Sequence, residues 1–370
     1  MPPCNSISKE DRASIEKLRE AVRDKLTPYY DTDFNLLRWL QGHDYNFDII
    51  IPKLKNHLLL RKSRWDLDKL ADKPRNHPLH FYWKAGLTGP AVKTPNVIVN
   101  IEQTGRNDYW GMMQTFSVID IMAARTHDLE LQLRRVMEME AKTGEQAFIM
   151  YVMDLTDLKY DKHLLTLVTG ALSCISTFMS DHYVEMIHKF ALVNAPSFIA
   201  SIWAIAKPLL PERTRDKVSI FGSNWKTEIQ NMIVPEVFKA ELELSVPIDP
   251  QQYCKEKMNG DCEILSILAG KTETIDISAE KDSVIRWCLQ ANGDFGFTIL
   301  YAENEACNQS NSLINIYPIL VKVPGPTVVP IRDELKCAKS GIYKFRFSNE
   351  HAWFHTLNIR YSVDVELKRE

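Results

Sequence analysis

Two acidic side chains lie at the end of an apolar run in the middle of the chain, where an enzyme could place catalytic carboxylates. Asp154 and Asp157 close the segment FIMYVMDLTD, and α/β enzymes often bind ligands at the carboxyl ends of such strands. General acid–base catalysis would also need a partner base or nucleophile within hydrogen-bond reach. The sequence offers no such partner, so we interpret the two carboxylates as turn or helix-capping groups.

A pair of histidines has a spacing that occurs in metal sites. His351 and His355 are four residues apart, which brings two imidazoles together on a helix but not on a strand. The segment is rich in predicted strands and no third ligand is near, so we interpret both as surface or hydrogen-bonding side chains. The motifs GxSxG, GxGxxG and HExxH and the P-loop are missing. The sequence therefore predicts no enzyme, metal site or cofactor.

Composition and charge describe an ordinary globular chain. Its 370 residues are enough for two or three domains, and the formal net charge of −3 gives no field that would recruit nucleic acid. The seven cysteines are scattered without a CxxC pair, which favours free thiols in a reducing compartment. The N-terminus lacks the apolar core of a signal peptide, and no window approaches about 18 continuous apolar residues. We predict a cytoplasmic protein with only transient membrane contact.

The elements that position any site fall into three blocks. Residues 1–75 are predicted to be helical: Ser8 with Asp11 resembles a capping box, and Asp31 can cap the helix FNLLRWLQG. Residues 76–248 alternate strands such as AFIMYVMDL with amphipathic helices, which predicts an α/β domain with a mainly parallel sheet. Residues 254–370 contain short strands separated by turn signals, which predicts a β-sandwich.

One predicted helix is apolar on nearly every face. Between Pro196 and Lys207 the only polar side chains are Ser197 and Ser201, and these share one face. Such a helix is either buried in the core, or packs one face on the sheet while the other covers an apolar cavity or touches a bilayer. The neighbouring segment HLLTLVTGALSCISTFM is similarly apolar.

The succession of these segments resembles a known family. The run VNAPSFIASIWAIAKPLLPERTRDKVSIFGSNW is similar to the signature of the CRAL-TRIO lipid-binding family, and YVMDL and LLRWLQGHDYNFD fit its earlier parts. Further on, VIRWCLQANGDFGFTI and GIYKFRFSNEHAWFHTLNIRYSVDVEL are similar to a GOLD β-sandwich. The resemblance covers nearly the whole chain in the right order.

The resemblance implies a soluble lipid-binding or lipid-transfer protein. It would enclose one phospholipid or another bulky hydrophobic molecule behind a mobile apolar helix and exchange it at membrane surfaces. The alternative is a lipid-dependent adaptor in signalling or membrane traffic, with a protein partner bound through the GOLD-like domain. Neither function requires a cofactor other than the bound lipid.

The resemblance also implies a set of site residues. In phosphatidylinositol-transferring members a Glu and a Thr-x-x-Lys hold the inositol phosphate, and the matching positions here are Glu185, Thr214 and Lys217. The chain departs from the family where basic residues usually follow the LLRWL motif, because it has Gln41, Gly42 and His43 there. Tyr151 and Met153 fall where family members line the lipid cavity. The further candidates for the lining are apolar side chains around them: Phe148, Ile175, Phe178, Val193, Phe198, Ile202 and Trp203.

Overall fold

The computed structural model describes residues 7–63, 65–210, 212–233, 243–255, 258, 262–304 and 313–366. The chain divides into two compact units. The first comprises Met1–Tyr109 and Ala123–Ile248, and the second comprises Trp110–Met122 and Asp249–Glu370. The predicted helical block and the predicted α/β block thus belong to one unit, because their apolar side chains share one core.

The first unit begins with three helices and two short helical turns. Their bounds are α1 (Lys9–Val22), α2 (Asp33–Gly42), α3 (Phe47–Arg61), α4 (Leu67–Leu70) and α5 (Leu79–Tyr82). Ser8 caps α1 as predicted, since its Oγ accepts a hydrogen bond from the Asp11 amide at 3.0 Å. The predicted cap of α2 was wrong by one residue. Thr32 Oγ1 accepts from the Asn35 amide, while Asp31 instead pairs with Arg19 at 2.7 Å.

The central sheet of the first unit has five strands in the order β1-β2-β3-β4-β5. Their bounds are β1 (Ala85–Pro90), β2 (Val97–Glu102), β3 (Phe148–Asp154), β4 (Ile187–Val193) and β5 (Val218–Ile220). Strands β2 to β5 are parallel to one another, whereas β1 is antiparallel to β2. The prediction of a mainly parallel sheet is confirmed.

Helices connect the strands, as the alternating pattern requires. Their bounds are α6 (Tyr109–Thr115), α7 (Val118–Thr143), α8 (Lys162–Thr169), α9 (Ala171–His182), α10 (Ile199–Ala206), α11 (Glu212–Asp216) and α12 (Trp225–Glu228). The apolar segment predicted as one helix is divided into α8 and α9 at Gly170. A short 3₁₀ turn, Lys207–Leu209, continues α10.

Apolar side chains cover the sheet on both faces. On one face, Ile149 and Tyr151 of β3 join a core that includes Leu36 of α2 and Leu54 of α3. On the other face, Met150 and Val152 pack with a second cluster that contains Trp225. Alternate residues of a strand point to opposite faces, so the nearly continuous apolar run of β3 serves both cores.

The second unit is an antiparallel β-structure of two sheets. Its strands are β6 (Glu263–Ile267), β7 (Thr272–Ala279), β8 (Val284–Ala291), β9 (Phe295–Ala302), β10 (Ile314–Asn315), β11 (Leu320–Val323), β12 (Ile331–Lys336), β13 (Gly341–Ser348) and β14 (Leu357–Glu366). One sheet has the order β10-β9-β13-β7 with β11 also on β9, and the other has the order β12-β8-β14-β6. Trp287 of the second sheet meets Phe345 of the first edge-on at 5.1 Å. The two sheets therefore pack as the predicted sandwich.

Candidate functional site

The carboxylate of Glu185 and the ammonium of Lys217 meet at one edge of the parallel sheet. Glu185 precedes β4 and Lys217 precedes β5, and these neighbouring strands begin at the same edge because they are parallel. Lys217 Nζ donates to Glu185 Oε2 at 2.7 Å. Glu185 is only 16% exposed and Lys217 24%. We call this place, with Asp44 and Arg213, the polar corner.

Arg213 brings a second cation to the polar corner. Its guanidinium donates to Glu185 Oε1 at 3.4 Å and to the carboxylate of Asp44, in the loop after α2. Two cations and two carboxylates therefore balance one another there. The resemblance pointed to Lys217 but not to Arg213, although both lie in the same short stretch RTRDK.

Thr214 joins the polar corner through its backbone. It is half-buried in α11, and its carbonyl accepts from the Lys217 amide at 3.2 Å. The structure therefore brings Glu185 and Lys217 into direct contact, and it places Thr214 one helical turn before the lysine.

Gly42 explains part of the departure from the basic pattern at residues 41–43. A Cβ at Gly42 would lie 2.0 Å from Val184 Cγ1 and 3.2 Å from Glu185 Cγ. Val184 is buried, and Glu185 has a positive φ of 49°, a conformation that costs a non-glycine residue roughly 1 kcal/mol. The missing side chain at Gly42 thus lets the loop of Glu185 approach the end of α2.

The predicted cavity residues of the strands divide between the two sheet faces. Tyr151 lies beside Phe190 at 5.8 Å between ring centroids, and Met153 pairs with Leu192 on the neighbouring strand. These four residues lie on the face of the sheet toward α10, and we call this face the lid-side face. Phe148 and Val193 belong to the cluster on the opposite face. The nine predicted residues therefore do not line a single space.

Helix α10 packs its buried side chains over the lid-side face. Ile199 and Ile202 form a cluster with Leu155 that also receives Leu192 of β4. Phe198 packs against this cluster and contacts the ring of Tyr160 at 5.4 Å, while Trp203 is half-buried. The side chains that α8 contributes to the same cluster are Leu164, Leu165 and Val168.

The two remaining predicted residues lie on α9. Ile175 and Phe178 are 6% and 8% exposed. Phe178 contacts Trp65 edge-on at 6.3 Å and His182 at 4.6 Å. The structure thus places Phe178 in the packing between α9 and the N-terminal helical segment.

The outward face of the α10 region remains apolar. Ile205 is 44% exposed and Leu209 of the following turn is 42% exposed, although both are large aliphatic side chains. Tyr160 is exposed as well. Helix α10 is therefore apolar on both its buried and its exposed side. This fits the interpretation in which one face packs on the sheet and the other covers an apolar cavity or touches a bilayer, rather than a helix fully buried in the core.

One helical stretch within the described residues, Lys162–His182, is long and apolar enough to cross a membrane. The sequence analysis looked for continuous apolar residues, whereas this stretch reaches its mean hydropathy with Thr, Ser and Gly among its apolar residues. Only 28% of its most apolar window is buried. Its length is interrupted at Gly170, where α8 ends and α9 begins.

A buried polar network was missed by sequence reasoning. The Tyr151 hydroxyl donates to the carboxylate of Glu102 and accepts from Arg125, and all three side chains are buried. Burial raises the pKa of this hydroxyl well above its ordinary value, so it stays protonated. The Tyr151 hydroxyl is thus held by two buried partners within the core on this sheet face. Glu102 and Arg125 are distant from it in sequence, and no spacing rule connects them.

Asp154 lies in a turn, and His351 and His355 lie in a loop of the second unit. Asp154 Oδ1 accepts from the Thr156 amide at 3.0 Å and from Asn194 Nδ2 at 2.8 Å, which confirms its role in a turn. His351 and His355 lie in the loop between β13 and β14. In the described part of the chain, no group of three potential ligands could hold a metal ion.

Comparison with known protein families assigns parts of the chain to domains. A model described as CRAL/TRIO domain matches residues 93–243, which contain β2 to β5 and α6 to α12. The chain contains a CRAL-TRIO domain. CRAL-TRIO domains bind lipids or other small hydrophobic molecules. Residues 249–370 match a model described as F28H7_8_C-like, C-terminal domain, and residues 7–70 match a domain of unknown function. The GOLD assignment thus stays a prediction.

Several CRAL-TRIO relatives extend the match beyond this domain. CRAL-TRIO domain-containing protein F28H7.8 of Caenorhabditis elegans is 28% identical over 94% of this chain and 88% of its own length. Protein ctg-1 of the same organism is 23% identical over 95% and 97%. Sec14 cytosolic factor of Schizosaccharomyces pombe is 28% identical over 64% and 82%. The crystal structure of Sfh5 covers 58% of this chain and 81% of its own, with 14% identity and a TM-score of 0.45.

Proposed function

We propose that this protein encloses one lipid against the lid-side face of the sheet and exchanges it at membranes. The observation that carries the proposal is the double apolar character of the α10 region. Ile199 and Ile202 are buried over Leu192, while Ile205 and Leu209 present apolar surface outward. A helix of this kind can cover a ligand from one side and dock on a bilayer with the other.

Energetics require that such a ligand be covered. Two acyl chains contain about thirty methylene groups, and exposing them to water would cost on the order of 20 kcal/mol, at about 0.8 kcal/mol for each group. An open groove would leave part of this cost in place. Exchange must therefore occur with the cover open directly against a membrane, where the acyl chains pass from one apolar medium to another. The protein would work in the cytosol and contact membranes transiently.

The polar corner is the proposed headgroup site. Lys217 and Arg213 are suitable donors to a phosphate, Glu185 can accept from hydroxyl groups of a polyol such as inositol, and the Thr214 hydroxyl can donate. A phosphate would replace Glu185 as a partner of Lys217 and leave the carboxylate free for hydroxyls. Cationic donors beside a carboxylate acceptor suit phosphatidylinositol as the ligand, with other phospholipids and bulky hydrophobic molecules as alternatives.

A transfer assay with matched lysine variants tests this assignment. Fluorescent phosphatidylinositol is followed from donor to acceptor vesicles with Lys217→Ala and with Lys53→Ala. Lys53 forms a similar ion pair with Asp181 at 2.6 Å, so its variant controls for the loss of a surface pair. We expect Lys217→Ala to slow transfer at least about tenfold and Lys53→Ala to leave it unchanged. Equal transfer by both variants would exclude the polar corner as the headgroup site.

A further inference from the structure

The second unit carries two adjacent aromatic side chains that are almost fully exposed. Trp353 and Phe354 lie in the loop between β13 and β14 and are 87% and 89% exposed. They are the most exposed large apolar side chains in the described part of the chain. Leu268, in the turn between β6 and β7, is 64% exposed. We call Leu268, Trp353 and Phe354 the apolar tip.

Hydrogen bonds show that these two loops lie together at one end of the sandwich. Asn349 is 3% exposed, and its Nδ2 donates to the carbonyls of Ile267 at 3.0 Å and of His355 at 2.8 Å. The Gly270 amide donates to the Asn349 carbonyl at 3.0 Å. The bases of both loops are thus fixed by one buried amide, and this holds the apolar tip at the end of a stable scaffold.

The core of the sandwich does not use the apolar tip. That core is filled by buried aromatic rings such as Trp287, Phe297 and Phe345. A Trp and a Phe held in water at the end of a domain lose the favourable free energy of burial. Contact with a partner outside the domain would recover that free energy.

The chemistry of the apolar tip favours a bilayer over a protein as that partner. It is a protrusion rather than a groove, and a bilayer accepts a protruding apolar side chain without a complementary pocket. Trp has an apolar ring and an N–H donor, and it prefers the membrane–water interface. Within three positions of these side chains in the sequence, the exposed Lys and Glu residues are Lys271 and Glu350, which have opposite charges. The same chain already contains a lipid-binding domain.

We propose that the apolar tip inserts into the interface of a phospholipid bilayer and docks the C-terminal domain on the membrane. This contact is separate from the lipid exchange proposed for the CRAL-TRIO domain. It gives the second unit a membrane-binding role of its own, which requires neither a bound lipid nor a working headgroup site.

Vesicle binding by the full chain tests the proposal. Sedimentation with phosphatidylcholine vesicles compares the wild type with Trp353→Ala/Phe354→Ala and with Ile264→Ala/Ile314→Ala. The latter two residues are 61% and 51% exposed elsewhere in the same domain, so this variant controls for a general loss of apolar surface. We expect the tip variant to lower the partition coefficient at least about tenfold. The control variant should bind like the wild type.

A second measurement reports insertion of Trp353 directly. Vesicles with brominated acyl chains quench tryptophans that enter the bilayer, and we expect stronger quenching in the wild type than in Trp353→Phe. Equal quenching in the two proteins, or equal vesicle binding by the tip variant and the wild type, would overturn the proposal. Loss of self-association or of binding to a protein, with unchanged vesicle binding, would instead assign the apolar tip to a protein partner. Lipid transfer is not needed for either readout, so a failure here is distinct from a failure of the proposed exchange.

Discussion

The outward face of α10 gives the sharpest prediction for lipid exchange. If Ile205 and Leu209 enter the membrane when the cover opens, replacing both by Gln removes that contact. Each side chain is slightly more than half buried in the closed protein, and full burial of such a side chain contributes about 1.5–3 kcal/mol. The exposed parts of the two side chains together therefore contribute roughly 2 kcal/mol to docking. This loss lowers the docked population by about 30-fold.

Stability should hardly change in the same double variant. Gln is a good helix former, and surface substitutions usually alter the free energy of unfolding by no more than about 0.5 kcal/mol. Ile49→Gln is a matched control, because Ile49 is also 44% exposed on a helix of the same unit. The assay is the rate of lipid transfer between vesicles, with urea unfolding measured in parallel. Transfer at the wild-type rate by Ile205→Gln/Leu209→Gln would refute the membrane role of α10.

Three further predictions concern stability. Gly42→Ala should destabilise the protein by about 1–3 kcal/mol because the new methyl group overlaps Val184; urea unfolding measures this, and adding Val184→Ala should restore part of the loss. Thr32→Ala should cost about 1 kcal/mol through loss of the α2 cap, and an unchanged midpoint would contradict the cap assignment. Burial lowers the pKa of His182 to about 4 and that of its hydrogen-bond partner His57 well below 6.5. The unfolded chain therefore binds protons more readily, and stability should fall as the pH drops from about 6.5 to about 4, by on the order of 1–3 kcal/mol from His182 alone. His57 changes the stability in the same direction. The pH slope of unfolding in His182→Asn should be shallower than that of the wild type.

Long periodic segments were predictable from the sequence, because their burial imposes a regular pattern. The run that forms β3 is apolar on both faces and is covered on both faces. Ser8 caps its helix because the capping chemistry is local. Strand β1 was missed since AGLTGP contains two glycines and a proline and no β-branched aliphatic residue. It becomes a strand through pairing with β2, which a local pattern does not show.

The resemblance named Glu185 and Lys217 for the candidate site, and the order of the strands accounts for their contact. Glu185 and Lys217 meet because β4 and β5 begin at the same edge. Alternate residues of a strand point to opposite faces of the sheet. The sequence alone therefore indicates that Phe148 lies on the face opposite to Tyr151 and Met153, and that these residues do not line one cavity together. The sequence alone does not indicate the bond between Tyr151 and Glu102, since it depends on the registration of two strands.

The enclosed lipid is the central claim, and native mass spectrometry of the purified full chain tests it most directly. The account predicts a stoichiometric adduct of one lipid per protein, which organic extraction would then identify. A phospholipid would support the headgroup role of Lys217 and Glu185, while a neutral sterol or isoprenoid would keep the enclosure and retire that role. A protein that is isolated empty and takes up no lipid from vesicles would contradict the account.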